Sequence, residues 1–142
     1  MMRMGSEGED GMGLIDPHWT LAAETTLFGI ILFTADFAAC ELFYEVTLGL
    51  PVMQRRSALT MFAFGGGYLL VEDGGFGSPH EKDRTRNPTV LRFNVDDAEA
   101  VGARLAERDV AVSLSRHDWG TVAAFCDPDG NRCEAKSPVR SG

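Results

Sequence analysis

The sequence predicts an α+β fold made of two βαβββ modules, and three observations carry that prediction. A strand followed by a helix begins at Leu27, and the same grammar restarts after Pro88. Each half closes with a hairpin marked by glycine. Sliding one half on the other sets Asp36 over Asp97, and a one-residue adjustment sets LGLPV over RDVAV. A repeat of roughly 60 residues is one supersecondary unit, which cannot bury a sheet face alone, so two must join to close a core. The expected product is a curved mixed sheet with a concave cleft and helices outside.

The elements follow in order. MMRMGSEGEDGMG has no basic segment followed by an apolar one, so it reads as a disordered tail rather than a signal peptide, with DPHWTLAAETT as a partly ordered arm. LFGIILFT is a continuous apolar run rich in β-branched and aromatic residues, which reads as a buried strand. Asp36 then caps a helix whose apolar stripe runs through Ala39, Cys40, Phe43, Val46 and Leu50, and Gly49 and Pro51 end it. MFAF and YLLVE form a hairpin across Gly65, Gly66 and Gly67. GGFGSPHEKDRTRNP is a glycine-rich, charged linker.

In the second half TVLRFNV alternates, with Leu91, Phe93 and Val95 on one face and Val90, Arg92 and Asn94 on the other. Asp96 and Glu99 have the spacing of a capping box, and Val101 and Leu105 carry the helix stripe. GTVAAFC and NRCEAK are strands joined by DPDG, whose proline and glycine suit a type I turn. The predicted division is a tail and arm over 1–26, one domain over 27–138, and a tail over 139–142. Within the domain, modules at 27–77 and 88–137 flank a linker at 78–87.

A chain of 142 residues suits one domain, which should bury roughly 70% of the surface its unfolded chain exposes. Its formal charge of −8 and pI near 4.8 oppose sequence-independent binding to phosphate backbones, so nucleic acid is excluded as a partner. No apolar run approaches the roughly 18 residues that would span a membrane. Cys40, Cys126 and Cys133 are odd in number and lack CxxC spacing, which points to free thiols in the cytoplasm rather than a disulfide framework or zinc ribbon.

Three segments, IILFTADFAACELFYEVTLGLPV, LRFNVDDAEAVGARLAERDVAV and WGTVAAFCDPDGNRCEAK, together resemble the vicinal oxygen chelate superfamily, which includes glyoxalase I, bleomycin-resistance proteins, fosfomycin-resistance enzymes and extradiol dioxygenases. The resemblance covers about Leu27 to Pro138 and implies a homodimer with a ligand or metal held in the concave sheet. Metal-using members take a carboxylate from the strand after DPDGN, a position that Glu134 matches. They also take a histidine from the first strand of each module, and those positions hold Gly29 and Val90 here. Neither residue can bind a metal, whereas a catalytic site needs about three N, O or S donors.

The candidate catalytic residues are therefore Glu134 and His117. Glu134 alternates with Arg132 and Lys136, so an ion pair across the sheet would satisfy it without a metal. His117 stands two residues before Trp119 and could serve as acid, base or ligand contact. Strand parity adds Phe33, Arg92 and Asn94 to the concave face, and Phe62, Phe64, Tyr68 and Trp119 are candidates for stacking on a ligand. An apolar pocket with a few polar groups suits a small hydrophobic or cationic molecule, bound as bleomycin-resistance proteins bind theirs, with no metal and no cofactor. The alternative is a glyoxalase- or dioxygenase-type enzyme using Glu134 with a metal, or His117.

Overall fold

Among the described residues, eight strands form two four-stranded mixed sheets with the same internal order. The first contains β1 (Gly29–Thr34), β2 (Val52–Arg56), β3 (Leu59–Phe64) and β4 (Gly67–Asp73) in the order β1-β4-β3-β2. The second contains β5 (Leu91–Asn94), β6 (Ser113–His117), β7 (Gly120–Cys126) and β8 (Arg132–Ser137) in the order β5-β8-β7-β6. In each, the first pair is parallel and the other two are antiparallel. This computed structural model describes residues 16–139, so the expected tail MMRMGSEGEDGMG and the last three residues of the chain lie outside the described residues. The arm contributes one exposed helical turn, α1 (Leu21–Glu24), capped by Thr20.

The helices α2 (Phe37–Leu42) and α3 (Ala98–Glu107) occupy equivalent places. Asp36 accepts a hydrogen bond from Ala39 N at 3.1 Å, and Asp97 accepts one from Ala100 N at 3.1 Å. The cap of α3 is thus Asp97 and not Asp96, because the helix starts one residue later than the capping-box spacing suggested. Glu99 instead pairs with Arg116 of β6. The helix α2 runs on into a π-helical turn, Phe43–Thr47, whose wider winding leaves Val46 exposed rather than on the expected stripe. Phe43 meets Phe125 of β7 at 6.2 Å, and Tyr44 meets Phe62 of β3 at 6.3 Å. Consecutive aromatic residues therefore touch different sheets, and one core runs from Leu69 and Val71 through Cys40 to Leu91, Leu105 and Cys133.

Two glycines make the hairpins tight. Gly65 sits at φ +59° in the two-residue turn between β3 and β4, and Gly130 at φ +85° closes DPDG, donating to Asp127 O at 3.0 Å. The strand β6 was not read from the sequence, since SLSRH is exposed throughout and carries no apolar alternation. The run read as a buried strand, β1, is a sheet edge with Ile30, Ile31 and Phe33 all more than 40% exposed.

The DPDGN turn ties the halves together. Asp129, 2% exposed, accepts hydrogen bonds from Ala35 N at 2.6 Å and Asp36 N at 3.3 Å, where the chain enters α2. Asp127 accepts from the Tyr44 hydroxyl at 2.7 Å and from Asn131 N at 2.9 Å. The linker is strapped to the same turn: Ser78 N donates to Asp129 O, and Lys82 Nζ donates to Asn131 Oδ1 at 2.8 Å and to Phe76 O at 2.6 Å.

Removing the Asp129 carboxylate strands two part-buried donors, so Asp129→Ala should cost about 3 kcal/mol, read as a lower urea midpoint. A loss under about 0.5 kcal/mol would show that the turn does not hold the halves together. Burial also raises the Cys40 and Cys133 thiols above their ordinary 9.0, and the Tyr44 hydroxyl above its ordinary 10.0, with neighbouring negative charges adding to the effect. All three stay protonated in the folded chain while the unfolded chain releases protons above about pH 9, so their contribution is complete below that pH and is lost as pH rises through it. The urea midpoint should stay level from neutral pH to about 8.5 and then fall.

Candidate functional site

The face of the second sheet turned away from its helix carries most of the residues singled out in the sequence. Register places Arg92 beside Glu134 and Asn94 beside Lys136, while β6 sets Ser115 and His117 on the same side. Glu134 projects into this face but its side chain is only 8% exposed, because two arginines cover it. Its Oε1 accepts from Arg92 Nε at 2.7 Å and Nη2 at 2.6 Å, and Arg132 Nη2 lies 3.5 Å from Oε2. Arg132 is also shared with Glu81 at 3.4 Å.

Above this pair lies an aromatic platform. The rings of His117 and Trp119 stack with centroids 4.4 Å apart and planes 2° from parallel, and His117 Nε2 meets Ser115 Oγ at 3.0 Å. The Asp118–Trp119 turn of the β6–β7 hairpin brings the indole over the sheet, where Arg92 Cζ and Lys136 Nζ each lie 5.9 Å from its ring centre. Trp119 remains 51% exposed. The arrangement can stack a flat molecule and present charge to it.

The remaining candidates divide by strand parity. Phe33 and Tyr68 lie on the corresponding face of the first sheet, Phe33 exposed and Tyr68 half-buried. Phe62 and Phe64 are corrections. Phe62 is fully buried against Tyr44, and Phe64 meets Phe93 edge-on at 5.0 Å within the shared core, so neither reaches the open face. In MFAF both faces are apolar, so alternation does not distinguish the inward face from the outward one. Arg132 and Lys136, expected only as ion-pair partners for Glu134, share this open face with it.

Sequence reasoning did not find a cavity of about 610 Å³ at the end of the second sheet, lined by Phe43, Arg108, Val110, Cys126 and Arg132 among others. Its thiol, Cys126, is pushed up to about 11 by burial and then by Glu81. Arg108 donates to the carbonyls of Val46 and Thr47 at the end of the π-helical turn.

Two modules of identical strand order, sharing a core and turning their helix-free faces outward, define a paired-module α+β protein. The family model described as Glyoxalase/Bleomycin resistance protein/Dioxygenase superfamily matches residues 26–135, and the chain belongs to that superfamily. Among solved structures it is similar to a lactoylglutathione lyase from Agrobacterium tumefaciens, with 22% identity and TM-score 0.62 over 80% of this chain and 93% of that one. It is similar to a glyoxalase/bleomycin resistance protein/dioxygenase from Nocardioides, with 17% identity and TM-score 0.66 over 83% and 86%. It is also similar to TnmS3, an antibiotic binding protein from a Streptomyces species, with 26% identity and TM-score 0.63 over 81% and 97%. No curated protein sequence matches the chain.

The metal set implied by the resemblance does not fit these residues. A Cβ on Gly29 would stand 2.5 Å from the Tyr68 ring, which fills the space a ligating side chain would need. Glu134 is engaged by two guanidinium groups. Among the described residues no group of three or more His, Cys, Asp or Glu side chains is placed to hold a metal ion. Purified protein should carry well under one equivalent of transition metal by elemental analysis. Glu134→Gln, which keeps an acceptor for the half-exposed Arg92, should cost about 1 kcal/mol. One equivalent of metal, lost in that variant, would refute both statements.

Proposed function

We propose that this protein binds a small molecule without metal chemistry, on the open face of β5–β8, and that it works as a homodimer. The observation that carries the proposal is the half-exposed Trp119, stacked on His117 and flanked by Arg92 and Lys136. A soluble protein gains nothing for its own core from an indole held over a sheet in this way, whereas a ligand gains a rigid stacking surface with polar groups beside it. Similarity to an antibiotic-binding protein supports the same reading.

The dimer rests on β1. Ile31 and Phe33 expose apolar surface on an edge strand whose outer backbone groups have no strand partner among the described residues, the combination that other chains cover. A second copy would shield that surface and give the ligand face a roof. An enzyme of glyoxalase or dioxygenase type has less support, because Glu134 is occupied by arginines and His117 is committed to Trp119 and Ser115. A hydrophobic ligand fits the platform, while the cationic one suggested by the overall charge would meet Arg92 and Lys136.

Light scattering should give twice the 15.4 kDa chain mass at micromolar concentration. In Trp19→Phe, which leaves Trp119 as the reporter, a bound aromatic ligand should change the fluorescence saturably. At 100 times its dissociation constant it should add about 2.7 kcal/mol to stability. Binding that survives Trp119→Leu unchanged would remove the site from this face.

A further inference from the structure

We infer that the molecule taken by this face is a planar aromatic anion, such as an aromatic carboxylate; the inference rests on the binding reading above and specifies its ligand. Three cations, Arg92, Arg132 and Lys136, stand on one sheet face around a single carboxylate, Glu134. Arg132 is balanced by Glu81 and Glu134 together. Arg92 gives two of its five N–H groups to one oxygen of Glu134, which leaves donors in hand. Lys136 has no carboxylate within ion-pair distance among the described residues, and its ammonium lies over the Trp119 ring. The remaining acid nearby, Asp118, sits in the hairpin turn at the rim. Three cations against Glu81, Glu134 and Asp118 sum to zero, so the positive character is confined to Lys136 and the uncommitted N–H groups of Arg92, which face the platform in a chain whose formal charge is −8.

The two halves of the ligand follow from two features that sit together. The Trp119–His117 pair offers a flat surface, and a flat aromatic ring is what stacks on it. Arg92 and Lys136, each 5.9 Å from the indole centre, are placed to meet a negative group on the edge of that ring. A cation seated on the same platform would gain from the indole but would be opposed by both basic side chains at close range.

Three probes of one shape separate the possibilities: 2-naphthoate, 2-naphthamide and 2-naphthylmethylammonium, measured by calorimetry on the full chain. The naphthoate should bind at least tenfold more tightly than the ammonium compound, with the amide between them. Its advantage should shrink in 0.5 M salt, vanish in Lys136→Gln and weaken in Arg92→Gln, both checked for folding by their melting curves. If all three bind equally and Trp119→Leu abolishes binding, the small-molecule reading stands and the anion is wrong. Tighter binding of the ammonium compound also overturns the anion. Naphthoate binding that is indifferent to Trp119→Leu and Lys136→Gln places the site elsewhere and overturns the inference. Failure of all three to bind at millimolar concentration overturns the anion together with the reading beneath it.

Discussion

Asp129 spends both carboxylate oxygens on backbone N–H groups that belong to the other half of the chain, and the remaining architecture depends on that bond pair. A helix entry with unpaired N–H groups is costly when buried, so α2 can pack inside only if something supplies acceptors. The turn after β7 supplies them across more than 90 positions of sequence. Asp127, four residues before Asn131, then holds Tyr44 by its hydroxyl and closes the turn through Asn131. The buried acids are satisfied by fixed donors, and Lys82 brings an ammonium to the same place through Asn131. A linker that composition alone would leave loose is thereby fastened along the turn.

The second helix repeats the device in a weaker form. Ala98 N, at the start of α3, donates to the buried Ser137 hydroxyl at 3.0 Å, while Asp97 caps the next turn as Asp36 does in α2. Each helix is thus anchored twice, once by its own aspartate and once by a side chain from the β7–β8 region. Because the π-helical turn that continues α2 touches both sheets through Phe43 and Tyr44, both sheets direct the same kind of face inward. The opposite faces are left over, one bearing Ile31 and Phe33 and the other Arg92 and Trp119. Function is argued from these faces because the core has no use for them.

Sequence patterns revealed most of the fold for reasons visible in particular residues. The Asp36 N-cap, the glycine hairpin at Gly65 and the DPDG turn are local signals, each set by a few neighbouring backbone groups, whereas the α3 cap falls one residue later than its capping-box spacing suggests. The register of the repeat follows from them. What the patterns missed depends on distant partners. Alternation is silent in MFAF, where every residue is apolar, and β6 is silent because SLSRH is exposed on both faces. The apolar run of β1 reads as buried by composition, yet its outer surface is an uncovered edge. Alternation puts Arg92, Asn94 and Glu134 on one face, and the β5–β8 register keeps them there. The stacking of His117 on Trp119 was beyond reach, since a two-residue turn decides it.

Net charge was the least useful guide to the site, and the distance over which charge acts explains this. At physiological ionic strength fields between exposed groups decay over about 8 Å, so a ligand in contact with the sheet responds to its immediate neighbours rather than to the whole chain. Those neighbours are ordered by Glu134. A free arginine side chain loses much rotational freedom when it grips a ligand, but a guanidinium already fixed by two hydrogen bonds to a buried carboxylate has lost it in folding. Glu134 fixes Arg92 through two contacts to one oxygen, and Arg132 limits its exposure. In the proposed site the carboxylate that resemblance assigns to a metal instead orients a cation, so Glu134 would contribute through the fixed donors of Arg92.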